Sequence, residues 1–203
     1  QAAVAGGWTY RMYYMSHDLL QQAAEQIGEG RTGFPFFQRG VIHDPCLAEG
    51  LRRLHVDLER GPCGRLEAQS RLLDTLVLLI QRHADAPPHP RPVGRERRAV
   101  ARAREYMESC FAEDLSVEQV AATAGLSPYH FIRIFGRQSG LPPHAYLTQI
   151  RIRRARAMLR AGQPVAVTAL AAGFADQSHF NRQFKRLIGI TPGKYRRIVQ
   201  EII

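Results

Sequence analysis

Cysteine is scarce in this sequence: three in 203 residues, Cys46, Cys63 and Cys110. Their number is odd and their spacing shows no pairing, which excludes a disulfide framework and leads us to expect reduced thiols in a cytoplasmic compartment. Long apolar runs are missing too. The longest, Leu76 to Ile80, falls far short of the roughly 20 residues a membrane helix requires. No charged segment followed by an apolar one opens the chain, so we expect no membrane association. The eight histidines are scattered, and no HExxH or CxxC pattern accompanies them. Neither metal nor cofactor is expected, and no residue is assigned a catalytic role.

The sequence does hold 45% hydrophobic residues, enough for one large or two small domains with buried cores. It carries a net charge of +10, unevenly placed. Residues 1–91 hold ten basic and ten acidic side chains, whereas residues 92–203 hold eighteen basic and eight acidic ones. An excess confined to one half is the electrostatic footprint of a phosphate-binding surface, although a basic helix can also be merely solvated. Residue 1 is Gln and the chain begins abruptly in an apolar, aromatic stretch. We therefore expect a fragment that lacks its true N-terminus.

Trp8 to Met15 is rich in aromatics and β-formers and reads as one remnant strand. Asp44-Pro45 then places a capping residue before a proline at the first helical position, with Leu47, Leu51, Leu54 and Leu58 at helical spacing to about Arg60. Gly61-Pro62-Cys63-Gly64 breaks that helix, and Leu66, Leu72, Leu73, Leu76, Val77, Leu79 and Ile80 mark a second one with a wide apolar face. The result is a helical hairpin over 45–82. Its apolar face serves either packing within the protein or a homodimer interface. Ala86 to Gly94, with four prolines, favours an extended spacer. We place a sensor-side segment at 1–85, a linker at 86–95 and a helical domain at 96–203. The first helix of that last domain is marked by Val100, Ala103, Met107 and Phe111.

An internal repeat dominates this last segment. Ala121-x-x-Ala-Gly-Leu126 is echoed by Ala169-Leu-Ala-Ala-Gly-Phe174, and Phe131, Phe135, Gly140, Pro143 and Tyr146 recur as Phe180, Phe184, Gly189, Pro192 and Tyr195. Each unit reads as a short helix of small residues, a turn at glycine and a second helix with aromatic anchors, which is helix-turn-helix grammar. Gly173-Phe-Ala-Asp-Gln-Ser-His-Phe-Asn-Arg-Gln-Phe-Lys, followed by Gly189-Ile-Thr-Pro-Gly-Lys-Tyr-Arg, resembles the signature of the AraC/XylS transcription regulators. The resemblance covers about residues 98–198. It implies a mainly α fold, with two helix-turn-helix units joined by a long helix from Pro143 to Ala161. A helical hairpin and the remnant β-strand of a sensor and dimerisation domain would precede them.

The resemblance also implies a sequence-specific regulator, an activator among its relatives' roles, that reads two successive major grooves of a double-stranded operator. A small-molecule effector would bind mostly in the preceding sensor, and RNA polymerase is a candidate further partner. In the first recognition helix Phe131, Ile134 and Phe135 form the buried stripe, which puts Tyr129, Ile132, Arg133 and Gly136 on the DNA side at 100° per residue. In the second, burial of Phe180, Phe184 and Leu187 turns Ser178, Asn181, Arg182 and Lys185 outward, with Gln177 at the helix start. Arg137 and Arg186, equivalent by register, complete the DNA-binding set. Gly136 stands where the second unit has Lys185, so it forgoes a phosphate contact, and Thr168 and Val167 depart from the family's usual aliphatic and polar residues. Two other functions compete, an effector-independent architectural DNA-binding protein and the DNA-binding module of a repair methyltransferase. The second lacks a four-cysteine zinc cluster and a Pro-Cys-His nucleophile.

Overall fold

The structure, a computed structural model, describes residues 10–28, 33–59, 64–89 and 96–201. The described residues form α1 (His17–Gly28), α2 (Pro45–Glu59), α3 (Arg65–His83), α4 (Arg97–Ser109), α5 (Val117–Ala124), α6 (Pro128–Ser139), α7 (Pro143–Arg160), α8 (Val165–Ala171), α9 (Gln177–Ile188) and α10 (Pro192–Glu201). Their starts follow from side chains that satisfy the free N–H groups of a first turn. Asp44 accepts from the N–H groups of Cys46 and Leu47 at 3.0 and 3.1 Å. Ser116 and Gln119 form a reciprocal capping box on α5, Ser127 caps α6, and Asp176 accepts from the His179 N–H at 2.7 Å on α9. The shortest helix, α8, starts after Pro164 with no side-chain cap.

The expected remnant strand is not found over residues 10–15, which carry no regular secondary structure; Trp8 and Thr9 lie outside the described residues. A strand needs a ladder partner, and Tyr13 instead leans on a helix: its hydroxyl donates to the Leu51 carbonyl, and its ring meets His55 edge-on, while Tyr10 and Tyr14 are exposed. The sequence reading also passed over α1. The expected linker is irregular over 86–89, and its remaining residues up to Arg95 lie outside the described set.

Three apolar clusters organise the helices. The first joins α4, α5 and α6 to Leu147 and Ile150 of α7 and to Leu66 of α3. The second joins Ile152, Ala155 and Leu159 of α7 to α8, α9 and α10. The long helix is thus a spine, its first half in one core and its second half in the other. The third cluster packs Ala23, Ala24 and Ile27 of α1 on Leu76, Val77 and Ile80 of α3 and on Tyr129 of α6. The wide apolar face of α3 is therefore covered by α1, α2 and the first helix-turn-helix unit together, which accounts for its width without a second copy of the chain.

Arg151 ties the two units. Its guanidinium donates to the carbonyls of Phe111 and Glu113, both at 2.7 Å, and lies 5.9 Å from the centre of the Phe174 ring. Burial pulls its pKa down to about 10.

A polar junction also connects α3 to the spine and to α9. Glu67 lies 2.7 Å from Arg71 and 3.7 Å from His179, whose ring also approaches Gln183 at 3.2 Å. His144 sits beside them with Arg186 and Arg71 in its field, and burial pushes its pKa down to about 4; His179 is lowered for the same reason. A histidine buried neutral must gain a proton when the chain unfolds in mild acid. The unfolded state then binds more protons between the folded pKa and the ordinary value near 6.5, so stability rises with pH across that window. Stability from His144 is fully present above about pH 6.5 and is lost as pH falls toward 4. Urea denaturation at pH 5 should give a stability about 1 to 2 kcal/mol below that at pH 7 from this group, and His144→Gln should flatten the slope. An unchanged slope in the variant would mean that other groups set the pH dependence.

Candidate nucleic-acid interface

The two units repeat in three dimensions as they do in sequence. Phe131, Phe135 and Tyr146 stack with ring centres 5.4 and 5.3 Å apart, and Phe180, Phe184 and Tyr195 repeat this at 5.4 and 5.5 Å. Edge-on aromatic contacts of this kind fix one helix against the next. Gly140 and Gly189 end α6 and α9 with φ of +70° and +87°, a conformation that favours glycine. The turns differ by two residues: Gly125 to Ser127 joins α5 to α6, while the chain from Ala172 to Asp176 joins α8 to α9.

On α9 the expected outward face is present. Gln177, Ser178, Arg182, Lys185 and Arg186 are exposed and Asn181 is half-buried, with its Oδ1 unpartnered among the described residues. Phe180 and Phe184 are fully buried, but Leu187 is 41% exposed. It shares their side of the helix yet falls in the last turn, and Ile188 closes the core instead. Gln183 is buried on the flank toward Glu67 and His179.

The face of α6 departs from expectation. Phe131, Ile134 and Phe135 form the buried stripe as read from the sequence. Tyr129 and Ile132, expected on the opposite, DNA-facing side, are also buried, each 5% exposed. Tyr129 is covered because α1 and α3 lie across α6, whereas Ile132 packs into the first core, which includes Leu66 of α3. Gln81 donates to the Tyr129 hydroxyl at 3.4 Å, burial pushes that phenol's pKa up, and Arg133 is half-buried with its guanidinium 5.3 Å from the Tyr129 ring centre. Arg137 is exposed, and a side chain at Gly136 would meet open space. The signal for the second covering was in the sequence: an aliphatic Ile132 on a helix side assigned to DNA.

Much of the basic excess has intramolecular partners. Arg102 caps the end of α5 at the Thr123 and Ala124 carbonyls, Arg104 reaches Ser139 at 2.9 Å, and Arg153 pairs with Glu108 at 2.6 Å. Arg154 lies over Phe111 and Arg156 over Tyr195. The basic run on α7 therefore braces each unit from within, although Arg153, Arg154 and Arg160 keep exposed surface. Further exposed cations are found at Arg137, Arg182, Lys185 and Arg186, at Lys194 and Arg197 on α10, and at Arg97, Arg98 and Arg102 on α4.

Among the described residues no cluster of metal-binding side chains occurs, and no helix is long and apolar enough to cross a membrane. Cys46 and Cys110 are free thiols, and Cys110 packs against the first core. Cys63 lies outside the described residues.

Comparison with known proteins places this geometry in context. A family model described as a helix-turn-helix domain matches residues 120–198, and one described as an AraC-like ligand binding domain matches residues 1–76. The HTH-type transcriptional regulator YbfI of Bacillus subtilis is 29% identical over 84% of this chain and 61% of its own length. The RCS-specific HTH-type transcriptional activator RclR of Escherichia coli is 39% identical over 43% of this chain and 31% of its own length. The chain thus spans less than two thirds of these relatives. Among solved structures, the C-terminal domain of AraT, a response regulator from Geobacillus stearothermophilus, is 32% identical, with 52% of this chain and 88% of that one covered at a TM-score of 0.49. With a ligand-binding match before α4, a helix-turn-helix match across α5 to α10 and a repeated unit built on one spine, the chain is similar in both its parts to the AraC/XylS transcription regulators.

Proposed function

We propose that this chain binds a specific double-stranded DNA site through α9 and α6, which enter successive major grooves on one face of the duplex. It does so in the cytoplasm, as part of an effector-controlled regulator, and activates transcription with RNA polymerase as a further partner. The observation that carries this reading is the duplicated unit on a stiff common helix, with an exposed basic and amide-bearing face on α9. One DNA turn spans about 34 Å, so two readers on one spine fit adjacent grooves. Gln177, Ser178, Asn181, Arg182 and Lys185 are the groove-facing set, with Arg133, Arg137 and Arg186 toward the backbone. Tyr129 joins them only in a form of the protein in which α1 leaves α6; Ile132 is held in the first core.

Self-association through the hairpin 45–82 belongs to the same proposal. Its Leu76 face is occupied within the chain, so the surface left for a second copy is the outer side of α2, where Leu58 is 52% exposed.

Arg182 and Arg186 separate base reading from phosphate holding. Arg182 is central on the exposed face and able to make a bidentate contact to guanine, so Arg182→Ala should cost about 1 to 3 kcal/mol on the cognate duplex and relax preference at one position. Arg186, one turn on and near the helix end, should weaken cognate and scrambled duplexes alike when replaced by Ala, and lower the salt slope by about 0.9. Affinities for both variants across a salt series check this. If Arg182→Ala weakens every sequence equally while Arg186→Ala relaxes specificity, the helix lies differently in the groove.

A further inference from the structure

Between α1, α3 and the first helix-turn-helix unit lies an open cavity of about 180 Å3. Its floor is apolar, formed by Leu19 of α1, Leu72, Leu73 and Leu76 of α3, Val117 at the start of α5 and Pro128 at the start of α6. An enclosed apolar cavity of roughly 150 Å3 is large enough to admit benzene. The polar lining has one bias: Gln22, Gln26, Gln69 and Glu118 line the cavity, and among the described residues no basic one does. The Oε1 of Gln26 is buried with no hydrogen-bond partner among the described residues, and a buried acceptor left unmet is destabilising until a donor reaches it. Gln69 uses its Oε1 on the Val117 N–H at 3.0 Å. Glu118 is exposed in the first turn of α5.

We propose that this cavity binds a small amine with an apolar body, and that its occupancy holds α1 over the first recognition helix. The apolar body covers the leucine floor. The ammonium faces the Glu118 carboxylate, and a turn of the Gln26 amide brings its covered Oε1 to an amino N–H, while an anionic ligand of the same shape would meet an acceptor and a like charge. The lining from Leu19 to Leu76 falls in the segment that matches the AraC-like ligand binding domain, and Val117 and Pro128 fall in the DNA-binding unit. One ligand therefore touches both. Ala23 lines the cavity and packs in the cluster that buries Tyr129, so a ligand that bridges α1 to α5 and α6 stabilises the covered form of α6. This coupling rests on the DNA-binding reading above; the binding itself does not.

The test uses this chain without DNA and three probes of one shape: 2-phenylethylamine, 2-phenylethanol and 3-phenylpropionate, titrated by ligand-observed NMR. The amine should bind with a dissociation constant on the order of 0.1 to 1 mM, the alcohol more weakly, and the carboxylate least. Glu118→Gln should bring the amine about fivefold closer to the alcohol. Gln26→Leu should weaken amine and alcohol alike by about tenfold, while its melting temperature stays equal or rises because an unmet buried acceptor is gone. A carboxylate that binds as tightly as the amine, affinities unmoved by either substitution, or no saturable binding of the amine overturns the site. On a duplex selected for tight binding, saturating amine should lower DNA affinity about fivefold or more. An unchanged or raised affinity in the presence of measured amine binding overturns the coupling alone.

Discussion

Gly173→Ala is expected to destabilise the protein by about 3 to 5 kcal/mol, whereas Gly125→Ala at the equivalent turn should cost about 1 kcal/mol. Both glycines have positive φ, +81° and +70°, so either alanine pays for a left-handed backbone. The difference is what surrounds them. A Cβ at Gly173 would stand 2.8 Å from the Cα and carbonyl oxygen of Ala112 and from the Phe111 oxygen, all main-chain atoms, whereas at Gly125 the nearest atom is the far end of Arg102 at 3.9 Å. An arginine tip moves aside; a backbone turn does not, because Arg151 holds that same turn by the Phe111 and Glu113 carbonyls. Urea denaturation of the two variants reads this directly. Equal costs would mean that the turn after α4 does not press on the second unit.

That contrast marks how far the sequence could be read. The duplication was legible because its aromatic and glycine positions keep register, and each pair proved to play the same part: Phe135 on Tyr146, Phe184 on Tyr195. The hairpin was legible because Asp44 and Pro45 announce a helix start and the leucines keep helical spacing. The close approach at Gly173 was not, since a one-sequence reading sees the positive φ a turn demands but not the strand of backbone that another element lays beside it. The second burial of α6 was hidden for the same reason. Helical periodicity assigns one buried face and leaves Tyr129 and Ile132 to DNA by subtraction; only the positions of α1 and α3 reveal the covering of Tyr129, and only the packing of the first core that of Ile132. Likewise, the partners of Arg151, Arg153 and Arg156, namely Phe111, Glu108 and Tyr195, lie about forty residues away in sequence, beyond the reach of any local pattern.

Leu76→Glu should destabilise the chain by about 3 to 5 kcal/mol rather than release a folded monomer. If the apolar face of α3 were an interface between copies, a charge there would leave each copy folded and separate them. In the structure Leu76 is 3% exposed, in one apolar cluster with Ile80 and the α1 residues Ala23, Ala24 and Ile27, so a carboxylate would enter apolar surroundings. Either the charge is buried unpaired at a cost to stability or α1 lifts from α3, and the second outcome removes the contacts that shield Tyr129. The effect should centre on α1, α3 and α6, because the second unit has its own core built on Ile152, Ala155 and Leu159 of the spine. Denaturation followed by α-helical circular dichroism, run beside sedimentation at several concentrations, separates the two pictures. A variant with wild-type stability that sediments as a monomer, against a dimeric parent, would show that the Leu76 face joins two chains; a less stable variant with the parent's association state shows that it closes one.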